Sequence, residues 1–249
     1  VPVTGRRQIN LLPETQIMEL SFANYTQFLT DNKEKVVKSG PQVEMVRRAG
    51  LRISKAVEQY MRENQMASRI SNFKWEFNVV DDKAVNAWCM PGGKVVVYTG
   101  ILPVTRDETG LAVVMGHEIA HAVANHGNER MSQALMQELG FAILDQALSE
   151  KPDATRSIFL SAYGVGSDIL GILPYSRLHE SEADKLGLIF MAMAGYDPAE
   201  AVGFWDRMSK LNGQAPPELL NTHPNSATRI RQIQQFLPEA QKYYKPNKP

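Results

Sequence analysis

Two histidines one helical turn apart, with a glutamate beside the first, are the residues of this sequence best suited to chemistry. They stand in His117-Glu118-Ile119-Ala120-His121, within the apolar stretch from Leu111 to His126. On an α-helix advancing about 100° per residue, His117 and His121 lie about 40° apart on one face. That spacing lets both imidazoles reach one tetrahedral zinc ion. Glu118 falls about 60° from His121 on the same wheel, so its carboxylate can take a proton from a water at the metal. Leu111, Met115, Ile119 and Ala122 form the adjacent apolar stripe, which puts the histidines at the edge of a buried face.

Two imidazoles leave the shell incomplete, and three further candidates offer themselves. His126 lies about 180° around the same helix from His117, which makes it a helix-end or supporting residue rather than a ligand. Cys89 is a chemically good ligand on a nearby strand, but a lone strand cysteine reads more simply as a small buried hydrophobe. The stretch Tyr175 to Lys185 is the better source. Glu180 and Asp184 are one helical turn apart and share a face, while Glu182 points elsewhere. One of these two carboxylates could complete the shell while the other holds the free N–H of a ligand histidine.

The rest of the chain must position these groups. Hydrophobic residues make up 43% and charged residues 22%, and Lys plus Arg and Asp plus Glu both count 27, so the formal net charge is zero. This balance argues against a nucleic-acid surface or a polybasic membrane patch. No apolar run approaches the roughly 20 residues of a transmembrane helix. Cys89 is the single cysteine, so no internal disulfide forms. Residues 1–12 read as an arm. Ile17, Leu20, Phe28 and Leu29 predict a helix from Pro13 to the Ser39-Gly40-Pro41 break, and Val46, Ile53, Val57 and Met61 a second over 42–65. Trp75, Phe77 and Val79 alternate with polar neighbours as a strand does; 85–90 and 94–99 read as two more strands around Pro91-Gly92-Gly93. After Gly100 everything reads as helix, over 105–126, 128–149, 154–172 and 176–194, punctuated by Pro152 and Pro174. Thr105 and Glu108 form a capping box for the first of these, and Gly195 closes the last. Asp197-Pro198-Ala199-Glu200 starts a helix that Asn212-Gly213 stops, and a final helix carries Ile230, Ile233, Phe236 and Leu237. The pattern is mostly helical α+β with one small β-sheet beside the HExxH helix.

With HExxH in place, the downstream Ser176-Arg177-Leu178-His179-Glu180-Ser181-Glu182-Ala183-Asp184 resembles the gluzincin metallopeptidases of the CAAX prenyl protease 1 and HtpX-type family. Thr222-His223-Pro224 is similar to a Thr-His-Pro segment of that family, with Asn225 where a second proline is usual. Asn86-Ala87-Trp88, leading to Pro91-Gly92-Gly93, resembles its strand pair before the zinc helix. The opening Val1 to Gln8 looks like the segment just after the lipidated cysteine of bacterial envelope members. The resemblance covers roughly 70–237 and implies a zincin-like fold: an N-terminal arm and helices over 1–69, a zinc metallopeptidase domain over 70–237 and a tail over 238–249. It implies one zinc per chain on His117, His121 and Glu180, with Glu118 as general base and Asp184 and Arg177 as supports. His223 would donate to the developing oxyanion or, in the other form of its role, close the resting site on the metal; the donor form is the expectation. Asn86, Ala87 and Trp88 would bind an extended peptide at a strand edge. The implied setting is the periplasmic side of a bacterial envelope, with a lipid anchor ahead of Val1 and a role in protein quality control. The competing reading is a catalytically silent zinc-stabilised binding or chaperone module, against which Glu118 speaks, since a structural zinc needs no base. A non-peptidase zinc hydrolase is a third, which the Glu180 to Asp184 motif disfavours.

Overall fold

The computed structural model describes residues 1–139, 156, 158–160, 162–163, 175–211, 217–223 and 227–246. The expected helices over 128–149 and 154–172, with Pro152 and Pro174, fall partly or wholly outside these residues, as do the Asn212-Gly213 stop, Pro224 and Asn225.

A four-stranded sheet forms the centre, in the order β1 (Val36–Val37), β2 (Glu76–Val80), β4 (Lys94–Tyr98), β3 (Ala87–Met90). β2 and β4 are parallel; the outer pairs are antiparallel. Side chains alternate between two cores, as the two-residue period of a strand requires. Val79, Ala87, Cys89, Val95 and Val97 face the larger core. Val80, Trp88, Met90, Val96 and Tyr98 face the smaller one. The bulky run in β4 is therefore buried on both sides, and β-branched residues suit that setting.

Helix α1 (Glu14–Asp31) covers the smaller core, where Phe28 meets the Trp88 ring edge-on at 5.0 Å. Helix α2 (Pro41–Glu63) covers the larger one with Val46, Ile53, Val57 and Met61, the residues whose spacing predicts it. Each such side chain contributes about 1.5–3 kcal/mol on burial. A short helix α3 (Leu102–Thr105) follows the sheet, and then the HExxH helix α4 (Glu108–Val123), packed against both α2 and β3. Here the structure corrects the capping box. Arg106 has φ 68°, which ends α3, and the Asp107 side chain caps α4 by accepting from the Gly110 amide at 2.9 Å. The Thr105 hydroxyl instead donates to the Leu102 carbonyl.

The remaining described helices are α5 (His126–Leu139), α6 (Arg177–Met193), α7 (Glu200–Lys210), α8 (Glu218–Thr222) and α9 (Ala227–Gln241). Helix α6 begins with the Ser176 hydroxyl accepting from the His179 amide. It ends at Gly195, φ 85°, where the Tyr196 amide reaches back to the Met191 carbonyl. Two glycines set how α4 and α6 meet. A Cβ on Gly116 would stand 3.0 Å from the Gly187 carbonyl oxygen, and one on Gly187 would stand 3.0 Å from Gly116 and His117 backbone atoms. Backbone thus lies on backbone at the point where the two helices carry their chemistry-bearing residues.

Candidate metal centre

His117 and His121 project from α4, Glu180 from the first turn of α6 and His223 from the end of α8. All four are buried, and one ligand atom from each lies within 4.8 Å of all the others. His117 Nε2 is 3.1 Å from His121 Nε2 and 3.1 Å from His223 Nδ1. Glu180 Oε1 is 2.9 Å from His223 Nδ1 and 3.3 Å from His121 Nε2. These separations suit a tetrahedral metal shell: ligand bonds of about 2.0–2.1 Å give edges of about 3.3–3.4 Å. They do not suit a hydrogen-bond network alone, because His117 Nε2 faces both His121 Nε2 and His223 Nδ1 at 3.1 Å and can donate at most one proton. The donor set, three imidazoles and a carboxylate, fits zinc.

The outer atoms of the ligands are held as well. Asp184 Oδ1 is 3.0 Å from His117 Nδ1, so the His117 Nδ1–H donates to it and Nε2 keeps its lone pair for the centre. Asp184 is in turn clamped by Arg229, whose Nε and Nη2 donate to its two oxygens at 2.8 and 2.7 Å. Arg229 Nη1 lies 2.7 Å from Glu180 Oε2, which leaves Oε1 as the oxygen aimed at the cluster. The guanidinium lies 3.4 Å over the Trp205 ring, which also contacts the His117 ring edge-on. Tyr175 lies against His121, with ring centroids 3.8 Å apart, and against His223 at 4.9 Å. Its amide donates to the Thr222 carbonyl, so it ties the start of α6 to the residue before His223.

Glu118 is buried with no hydrogen bond at Oε1, and its nearest ionic neighbour is His223 Nε2 at 3.5 Å. Burial pushes its carboxyl above the usual range, against the pull of His223 and His117, which suits a group that must accept a proton near neutrality. Burial also favours neutral His121, which is the form that binds metal. Burial and Arg229 press His117 the same way, but Asp184 and Glu180 outweigh them and hold it up at about 9. Burial would raise Glu180; Arg229 and His223 instead keep it ionised.

Of the residues singled out by sequence, His117, Glu118, His121, Glu180, Asp184 and His223 are brought together. Arg177 is not. It is exposed at the head of α6, and none of the described hydrogen bonds joins it to the cluster. Arg229, in the first turn of α9, stands where a supporting cation was expected of Arg177. Cys89 is a buried core residue on β3, outside the cluster. His126 does not lie across the helix from the ligands: α4 stops at Val123, Asn125 turns left-handed at φ 56°, and His126 Nδ1 returns to 3.0 Å from His121 Nδ1. Glu182, expected to point elsewhere, accepts from His126.

Asn86, Ala87 and Trp88 are buried along the outer strand of the sheet, beside α4. The Tyr98 amide donates to the Asn86 carbonyl, so Trp88 and Met90 turn their backbone groups toward β4, while Ala87 and Cys89 turn theirs outward. Trp88 itself belongs to the smaller core, with its indole N–H donating to the Tyr98 hydroxyl.

Residues 51–237 match the sequence profile of Peptidase family M48. The chain is 34% identical over 243 residues to the mitochondrial metalloendopeptidase OMA1 of Schizosaccharomyces pombe, covering 97% of this chain and 67% of that protein. It is 32% identical over 249 residues to the human mitochondrial metalloendopeptidase OMA1, covering 97% of this chain and 46% of that one. It is also 28% identical over 165 residues to the beta-barrel assembly-enhancing protease of Yersinia pestis, covering 63% of this chain and 33% of its relative. The chain thus spans about half the length of several of the curated relatives it matches.

Proposed function

Because this chain belongs to peptidase family M48, we propose that it is a zinc-dependent metalloendopeptidase, with His117, His121 and Glu180 as ligands and Glu118 as general base. The observation that carries the reading is the convergence of four donor atoms within 4.8 Å beside a buried carboxylate that lacks a hydrogen bond at Oε1. A purely structural zinc would need the four donors and not the base. Bound there, zinc supplies Lewis acidity, polarising a peptide carbonyl and acidifying water. Glu118 would take a proton from the attacking water and pass it to the leaving amine. Asp184 and Arg229 hold His117 and Glu180 in place, and Tyr175 packs on the other ligand faces. The outward backbone groups of Ala87 and Cys89 are the edge on which an extended peptide would add as a strand, with Asn86, Ala87 and Trp88 forming that edge.

His223 is the fourth ligand of a closed resting site in this reading. Its Nδ1 sits among the other donor atoms, and its Nε2 faces Glu118. Stabilising the oxyanion, the role expected from sequence, would then need the His223 imidazole turned away from the other donors. The division into arm and helices (1–69), peptidase domain (70–237) and tail (238–249) is part of the same proposal. The family match supports it in the middle, although it begins at residue 51, inside α2. Extended segments of misfolded or membrane-associated proteins are the proposed substrates. The periplasmic side of a bacterial envelope, with a lipid anchor ahead of Val1, is the proposed location. The name of the Yersinia pestis relative supports the envelope setting. No helix among the described residues is long and apolar enough to cross a membrane.

The test pairs metal analysis with digestion of casein. Wild type should carry one zinc per chain and cleave, and Glu118→Gln should keep the zinc while losing turnover by about 10²–10⁴-fold. Undiminished cleavage by a clean Glu118→Gln preparation would sink the mechanism.

A further inference from the structure

The N-terminal arm lies across the far side of the ligand helices, and its Arg6 guanidinium is forked between two buried carboxylates. Arg6 donates to Glu129 through Nη1 and Nη2, both at 2.7 Å, and to Glu182 through Nε and Nη2, at 3.0 Å each. The Thr4 hydroxyl donates to the same Glu182 at 2.6 Å, and the Gln8 amide donates to Glu129 and to the Ala124 carbonyl. Farther along, the Leu11 amide donates to the Ser132 hydroxyl and the Asn128 side chain donates to the Leu12 carbonyl. These residues are not a loose tail.

Behind each carboxylate stands a histidine. Glu182 Oε2 is 3.1 Å from His126 Nε2, and Glu129 Oε2 is 3.1 Å from His179 Nε2. The two imidazoles stack with centroids 4.6 Å apart. His126 Nδ1 then meets His121 Nδ1 at 3.0 Å. Only one proton arrangement satisfies this chain once His121 gives its Nε2 lone pair to a metal. His121 carries its proton on Nδ1 and donates to His126 Nδ1. His126 therefore carries its proton on Nε2 and donates to Glu182. Glu182 accepts from His126, Thr4 and Arg6, and needs the guanidinium because a buried carboxylate without a cation is costly.

We propose that the N-terminal arm is a working part of the metal centre, its Arg6 fixing the position and proton arrangement of the ligand His121 through Glu182 and His126. Arg6, Glu182 and His126 are positioning residues: none of them is among the four converging donors, and each acts through the next. If the arm leaves, Glu182 is stranded, His126 loses its fixed acceptor, and the His121 ring loses the partner that orients it. The coupling is reciprocal by thermodynamic necessity, so metal at the centre must also hold the arm down.

The inference rests on the metal-centre reading above, and one set of measurements separates the two. Zinc affinity is measured by competition with a chelator for wild type, Arg6→Ala, Arg6→Lys and Glu182→Gln, with circular dichroism checking the fold. Both Arg6→Ala and Glu182→Gln should bind zinc about 10–100-fold more weakly, the usual cost of losing an outer partner of a ligand histidine. Arg6→Lys should not rescue, since an ammonium cannot span two carboxylates as the planar fork does. The visible absorption of the cobalt-substituted protein, which reports the ligand field, should shift in the same variants. In unmutated protein, stripping the metal should speed tryptic cleavage after Arg6 and Arg7. Zinc affinity within about twofold of wild type in folded Arg6→Ala, against that 10–100-fold expectation, or arm cleavage indifferent to metal, would overturn the inference alone. Wild type that binds no zinc, or His117→Ala that binds it equally well, would remove the metal centre and the inference together.

Discussion

Replacing Arg229 by Met tests the least expected part of the centre. The guanidinium is 4% exposed and neutralises two buried carboxylates at once, Asp184 through a fork and Glu180 through Nη1. Methionine keeps much of the volume and the packing on Trp205 but removes the charge and every donor. Breaking a buried ion pair by deleting one partner costs about 3–5 kcal/mol, because the other charge is left uncompensated. Asp184 retains the His117 Nδ1–H at 3.0 Å and Glu180 retains the ligand cluster, so the lower end, about 3 kcal/mol, is expected. For a chain of this size that corresponds to a fall in Tm of about 6–12 °C. The assay is thermal unfolding of zinc-free and zinc-loaded protein, with zinc affinity measured alongside. Arg229→Lys should recover little, since a single ammonium cannot donate in a fork to Asp184 and also reach Glu180. An Arg229→Met protein that melts within about 2 °C of wild type, when about 3 kcal/mol is expected, would refute the idea that this cation holds the carboxylates.

His223→Ala should weaken zinc binding, because it deletes a donor atom 3.1 Å from His117 Nε2; chelator competition measures this, and unchanged affinity would return His223 to a donor role only. Gly187→Ala should lower stability and zinc occupancy together, since its Cβ would press on Gly116 and His117 backbone at 3.0 Å and lever α6, with Glu180, away from α4; equilibrium unfolding and metal analysis read both. Burial would raise the Glu129 carboxyl, but bonds from Arg6 and Gln8 hold it below its ordinary 4.5, so its contribution to stability is full above that value and is lost as pH falls through the depressed range. Glu129→Gln should therefore be less stable than wild type at neutral pH, and the gap should close in acid, as urea midpoints against pH would record.

The parts of the centre that lie within one helix are legible in the sequence. The spacing from His117 to His121 and the phase of Glu118 follow from helical geometry alone, and the larger core of α2 follows from its apolar period. Glu180 is different. That it meets α4 at all depends on Gly116 lying against Gly187, a contact no period announces, and only the resemblance of the Glu180 to Asp184 segment chooses it over its neighbours. Arg229 carries no signal: one arginine in the first turn of an amphipathic helix looks like a surface residue until the fold turns it onto Asp184. His126 is misplaced by the helical wheel for a definite reason. The wheel does not extend past Asn125, whose left-handed backbone ends it and swings the next residue back over His121. The Thr105 cap fails similarly, because Arg106 breaks the chain between it and α4. Strand β1 is two residues long and shows no pattern to read.

Charge balance explains why these residues belong together. Glu118, Glu180 and Asp184 bring three negative charges into a region where each is less than a tenth exposed, and Arg229 returns one positive. With neutral imidazoles, as metal binding requires, Glu118, Glu180, Asp184 and Arg229 together carry a net of two negative charges, which are costly to bury. A divalent cation held by the proposed ligands would cancel them. The same balance bears on whether the site opens. His223 is a neutral ligand, so exchanging its imidazole for another neutral donor leaves the total charge at the centre unchanged. Opening of the proposed site would then cost a ligand bond and the packing of His223 on Tyr175, His117 and His121, not an uncompensated charge. Releasing Glu180 instead would free a buried carboxylate, which Arg229 opposes from the other side. Of the four donors, His223 is also the one held at the end of a five-residue helix rather than on a long one. In the proposed reading His223 is therefore the donor whose displacement would leave the charge of the centre unchanged, and its Nε2 faces Glu118.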